Sequence, residues 1–317
     1  MPRRLPTFPF APLPPGEVRP RANERPGMTA ALREDAAKIR WFIEAWGRQV
    51  RDDSPLGDLL LKSDLMDLDG DGASSVNDLE TEARRFGLHL SASFQALAWS
   101  ITALHGREGV LLDVDGGFID HELLGADTAE RDAERRLPGG VGTLAFAARL
   151  VQAGGGVIES VKGKGGIGYD VRWRSGNGFT VLVERKDRSY EAGLEDDLRR
   201  RARKVANEMK NVHFPRVPGA ARVLVVGFQH LVRQAETDAV GDYYFAHLSR
   251  EFGGTVNDKL PHYVVIEHLG LEPVAGGEKS HFWAPIPVLH DRRLHDNVYP
   301  LLRCAVGDEQ AAAWGHR

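Results

Sequence analysis

Cysteine is all but missing: the chain of 317 residues has one, Cys304. One thiol excludes an intrachain disulfide framework and a cysteine-rich zinc site, and it is read as structural. Long apolar runs are missing too, so no membrane span is expected. The N-terminus lacks the apolar middle region of a secretory signal. A soluble, cytoplasmic protein is expected. Excess positive charge is also lacking. With 41 Lys and Arg against 45 Asp and Glu, the net charge is −4, so affinity for nucleic acid would have to come from a local patch. Twelve histidines are present. Those toward the C-terminus (His262, His268, His281, His290, His295) show no metal-like pairing at helical spacing.

What remains is ample apolar content, 42%, enough for one large or two modest domains. Residues 1–27 hold eight of the 17 prolines and read as an extended, disordered leader. From Thr29 to about Val50, Ile39, Phe42, Ile43 and Trp46 recur at helical spacing. An acidic, mostly helical region follows to residue 137. Leu137-Pro138-Gly139-Gly140 punctuates the chain and is read as a boundary. Residues 138–270 then give the order α-β-β-β-α-β-α-β, which favours an α+β fold with a mixed sheet. Residues 271–317 form an extension without clear periodicity.

Two strands, Gly168 to Arg174 and Phe179 to Lys186, flank a Gly176-Asn177-Gly178 turn. A three-residue loop favours glycine in the left-handed conformation. It pairs Ser175 with Phe179, Arg172 with Leu182 and Asp170 with Glu184. Residues two apart on a strand share a face, so Glu184 and Lys186 project together beside Asp170. Opposed Cβ atoms lie about 4.5–5.5 Å apart, close enough for two carboxylates to share one metal ion. A two-residue loop would put Asp170 on the other face. Trp173 alternates away from Asp170, toward the core. Two carboxylates suit Mg²⁺, which keeps several waters, and a lysine beside them can orient an attacking water.

With the strand order around them, Asp170 and the Glu184-Arg185-Lys186 run resemble the PD-(D/E)xK nuclease superfamily, the restriction-endonuclease-like fold. The resemblance covers roughly residues 141–268, with Tyr169 standing where the motif has proline. It implies that Asp170 and Glu184 bind Mg²⁺ or Mn²⁺ and that Lys186 assists the water. Some members add an upstream acid, for which Glu159 is the candidate. Others add a glutamine near the metal, for which Gln229 is the candidate.

The next helix, expected from Tyr190 to Asn211, has an apolar stripe at Leu194, Leu198, Ala202, Val205 and Met209. Arg199, Arg200, Arg203 and Lys204 crowd the remainder as candidate nucleic-acid contacts. Residues 160–222 hold 15 Lys and Arg against 8 Asp and Glu, the local basic field a phosphate-backbone binder needs. The N-terminal region carries a second pattern. Asp67, Asp69, Asp71 and Asp78 stand at loop positions 1, 3, 5 and 12, with Gly72 at position 6 and Ser75 inside the loop. The spacing resembles an EF-hand or dockerin calcium loop. Asp113 to Glu122 looks like a shortened partner loop.

The expected function is a Mg²⁺-dependent nuclease acting on DNA or RNA. Its expected domains are the leader 1–27, a helical acidic domain 28–137 with candidate calcium loops, the nuclease-like domain 138–270 and the extension 271–317. Two alternatives stay open: a non-catalytic nucleic-acid-binding protein of the same fold, and a calcium-binding interaction protein. The sequence leaves the oligomeric state open, a dimer included.

Overall fold

The structure is a computed structural model. It describes residues 7–14, 16–17, 28–52, 54–65, 95–105, 112–114, 117–125, 130–162, 168–188, 198–232, 237–252, 260–272, 277–282, 285–289 and 291–307. The calcium-loop candidates Asp67, Asp69, Asp71, Ser75 and Asp78 lie outside these residues.

Three helical segments come first: α1 (Met28–Ala45), α2 (Pro55–Leu65) and α3 (95–105). Then follow β1 (Leu112–Val114), a π-helical turn (Phe118–Leu123) and the long α4 (Glu130–Gly154). The expected α-β-β-β-α-β-α-β order is then found. It runs from α4 through β2 (Val157–Val161), β3 (Val171–Arg174), β4 (Thr180–Arg188), α5 (Leu198–Asn211), β5 (Ala221–Val232) and α6 (Thr237–Phe252) to β6 (Tyr263–Glu272). The C-terminal stretch supplies β7 (Gly277–Phe282), β8 (Ile286–Pro287) and α7 (Arg292–Ala305). The expectation of an unassignable extension is thereby replaced by two strands on the sheet and a helix against its core.

The sheet is mixed, in the order β1-β2-β3-β4-β5-β6-β7, with β8 also on β6. β4, β5 and β6 are mutually parallel, while β2, β3 and β4 alternate in direction. Alternation along β4 and β5 feeds two cores. Val181, Val183, Val223 and Val225 face α1 to α4 and α7, whereas Leu224 and Val226 face α5 and α6. The stripe on α5 buries Ala202, Val205 and Met209 as its spacing demands, and Ala206 with them.

The boundary expected at residues 137–140 falls within α4, which runs through Pro138. An interior proline costs a helix about 3 kcal/mol. Here the residues beyond it (Val141, Leu144, Phe146, Ala147, Leu150, Val151) are all buried. They belong to one core with Ile39, Phe42 and Leu97 on one side and Val223 and Val265 on the other. No separate cores divide at residue 138. Of the stretch Asp113 to Glu122, residues 113–114 lie in β1 and residues 118–122 in a helical turn that buries Phe118, Ile119 and Leu123. Within the expected leader, Phe8 packs edge-on against Trp41 at 5.1 Å between ring centroids.

The turn between β3 and β4 is the expected three-residue loop, with Gly178 at φ 86°. The Ser175 N–H donates to the Phe179 carbonyl at 2.9 Å, and Arg172 pairs with Leu182. Trp173 is wholly buried, and its indole N–H donates to the Gly155 carbonyl at 2.9 Å. The α4–β2 corner uses two left-handed glycines, Gly155 (φ 61°) and Gly156 (φ 78°). They differ in surroundings. A Cβ on Gly155 would meet nothing within 4 Å, whereas one on Gly156 would lie 2.0 Å from the Arg174 carbonyl oxygen. Gly155→Ala should therefore cost about 1–2 kcal/mol, the backbone strain alone. Gly156→Ala should cost clearly more, read as the difference in urea unfolding free energy between the two variants.

Candidate functional site

The last described β3–β4 pair is Val171 with Val183. Beyond it the two strands fork. The Asp170 N–H still donates to the Val183 carbonyl at 2.7 Å, and the Asp170 carbonyl accepts from the Lys162 N–H at 2.8 Å. Where β4 next needs a ladder partner, the Asp170 side chain provides it: Oδ2 accepts from the Arg185 N–H at 2.6 Å. The acid thus stands in the mouth of the fork, fixed by backbone on both sides.

Glu184 and Lys186 lie on β4 beside Leu224 and Val226 of β5, on the face toward α5. Their heads form an ion pair. The Glu184 side chain is 13% exposed and that of Lys186 37% exposed, so the pair borders solvent. Burial, first, and the neighbouring Glu184 charge, second, push the Asp170 carboxyl up to about 7. The Arg185 N–H and the Lys186 charge oppose this, and Glu122 adds to the rise. A carboxyl whose ionisation is opposed by burial and a neighbouring carboxylate marks a place where a cation would be welcome.

Sequence reasoning missed Glu122 as a member of this set. It sits on the π-helical turn, which glycines of α4 bring close: a Cβ on Gly140 would lie 2.9 Å from the Glu122 carbonyl oxygen. The Asp113 to Glu122 acidic stretch was its only signal. Asp120 from the same stretch is held by Arg48 at 2.7 and 3.0 Å.

Between Glu184 and Lys186, Arg185 turns to the opposite face. Its side chain is 6% exposed and is gripped by Asp187 (2.7 Å) and Glu267 of β6 (2.6 Å). These carboxylates hold the guanidinium charged despite its burial. The clamp needs bare backbone around it. A Cβ on Gly142 of α4 would come within 2.3 Å of the Arg185 guanidinium, and one on Gly227 within 2.3 Å of the Asp187 carboxylate.

Other expected residues go elsewhere. The Glu159 carboxylate is taken by Arg172 (2.7 Å) and Arg174 (3.2 Å), and nothing ties it to Asp170 or Glu184. Gln229 lies on β5 just past Phe228, and its side chain is outside the described ones. Arg199, Arg200 and Arg203 are exposed on α5 and Lys204 is half-buried, while Arg201 is buried. Among the described residues, no three His, Cys, Asp or Glu side chains already stand as a metal-holding group. Asp170 and Glu184 alone match the one or two carboxylates Mg²⁺ ordinarily takes, with water in the remaining positions.

Comparison with protein-family models, curated proteins and solved structures found no match to this chain. Among the described residues, no helix is long and apolar enough to cross a membrane.

Two outcomes follow from this geometry. Asp170 binds its proton more tightly folded than unfolded. Its contribution is therefore most favourable below about pH 4 and is lost as pH rises toward about 7. Urea unfolding across that range should show wild-type stability falling relative to Asp170→Asn, and parallel curves would refute the assignment. Asp187→Asn should cost about 3–5 kcal/mol, because a buried guanidinium is left half-paired. Thermal unfolding reads that loss.

Proposed function

We propose that this chain is a metal-dependent phosphodiesterase, a nuclease whose site is Asp170, Glu184 and Lys186 in the resembled PD-(D/E)xK arrangement. The observation carrying this is the forked strand pair. It leaves Asp170 where the Glu184 charge opposes its ionisation, with the Lys186 ammonium paired to Glu184. A solvated surface hairpin has no reason to raise a carboxyl to about 7.

Asp170 and Glu184 would hold a divalent ion, Mg²⁺ or Mn²⁺. When bound, such an ion polarises a phosphoryl oxygen and lowers the pKa of its water. The chain's own groups do the rest. Asp170 gives up its proton on loading and is kept in place by the Arg185 N–H. Glu184, whose carboxylate already pairs with Lys186, would be the second group to hold the ion. The Lys186 ammonium, a half-exposed group on the rim, orients the attacking water and offsets charge developing on the phosphate. Glu122 contributes a further negative charge that favours a dication over a proton at Asp170.

The calcium-binding reading rests on residues 67–78, which lie outside the described structure. It remains a separate proposal for the N-terminal region, tested by calcium titration calorimetry of the full chain.

The purified chain should nick plasmid or degrade oligonucleotides in Mg²⁺ and stop in EDTA. Lys186→Ala should lower the cleavage rate about 100-fold or more and leave Mn²⁺ affinity largely intact. Asp170→Asn and Glu184→Gln should lose both. Metal binding to the wild type by calorimetry in two buffers of different ionisation enthalpy should show proton release below pH 7 that fades as pH rises above it. Cleavage that survives in all three variants would refute the site.

A further inference from the structure

Beside the acid pair, β2 and β3 carry a group of charges that hydrolysis does not use. Arg172 follows Asp170 by two residues, and the Lys162 N–H donates to the Asp170 carbonyl at 2.8 Å. The Lys162 ammonium lies over the Tyr169 ring, 4.3 Å from its centroid. The Tyr169 hydroxyl also meets Ser160 and Arg172. Arg172 and Arg174 share a single carboxylate, Glu159, yet their side chains are 37% and 55% exposed. Three cations thus stand against one anion on a surface that adjoins Asp170. In the sequence, Lys164 adds another cation in the glycine-rich run Gly163 to Gly166.

We propose that this face of β2 and β3 is a phosphodiester-backbone track, on which Lys162, Arg172 and Arg174 receive nucleic-acid phosphates flanking the acid site. Tyr169 holds the Lys162 ammonium over its ring. Glu159 occupies the guanidiniums while the track is empty and gives way to phosphate. The proposal rests on the hydrolase reading for what is cut, though not for what is bound.

The test is fluorescence anisotropy of the full chain with labelled single-stranded DNA, duplex DNA and RNA, in EDTA and over a salt series. Lys162→Ala and Arg172→Ala should each weaken binding about 5- to 10-fold and lower the slope of log affinity against log salt by about 1. Glu159→Gln should tighten binding about 3-fold or more, since it removes the competing carboxylate. A residue that merely braces the arginines would do the opposite when removed. Unchanged affinity and slope in folded Lys162→Ala and Arg172→Ala proteins would overturn the track, as would weaker binding by Glu159→Gln or no binding of any of the three probes. Wild-type binding with these mutational effects, but no cleavage in Mg²⁺, would overturn the hydrolase reading and leave the track standing. The three probes rank duplex, single strand and RNA as its ligand.

Discussion

Arg185 is engaged on two sides at once, and the site depends on that. Its backbone N–H fixes the Asp170 carboxylate at 2.6 Å. Its side chain passes through the sheet to the other face and is locked there by Asp187 and Glu267. A charge removed from water is stable only when fully paired. The guanidinium therefore ties β4 to β6 and presses against the bare backbone of α4 at Gly142. Because β4 cannot slide or rotate against β6 without unpairing that charge, Glu184 and Lys186 are held on the face toward α5. The acid site is set from behind.

The clamp also explains the composition of α4. Gly139, Gly140 and Gly142 are poor helix formers. A Cβ would be 3.2 Å from the Asp187 carboxylate at the first and 2.9 Å from the Glu122 carbonyl oxygen at the second. At the third it would overlap Arg185. The helix gives up intrinsic propensity so that the π-helical turn and the charged strand can approach it. The same approach brings Glu122 within electrostatic reach of Asp170.

Much of this was legible before any coordinates. The period of two along the β3–β4 hairpin, together with Gly178 in its turn, fixed which residues share a face, and the observed pairing of Arg172 with Leu182 follows that register. The burial of Trp173 and the stripe on α5 follow from periodicity in the same way. What could not be read involves long range. Pro138-Gly139-Gly140 has every local mark of a break, and only tertiary burial of the residues after it keeps the helix whole. Arg185 reads as one more exposed strand charge, since its partner Glu267 lies far along the chain. Glu159 reads as a spare acid until Arg172 and Arg174 close on it. In α7 the signal was present and passed over: Leu294, Val298, Leu302 and Ala305 recur at helical spacing and are all buried.

β1 comes from chain that precedes α4, yet it forms the outermost strand of the sheet, alongside β2. A fragment begun at the apparent break near residue 138 would lack it and would cut α4 part-way. Strand β2 would then present its unpaired N–H and C=O groups to solvent, an invitation to another chain. The apolar side of the shortened helix would lose its cover from α1 and α3. Such a fragment, although it keeps Asp170, Glu184 and Lys186, is expected to self-associate rather than stay in solution. The residues before the motif are structural members of the same folding unit.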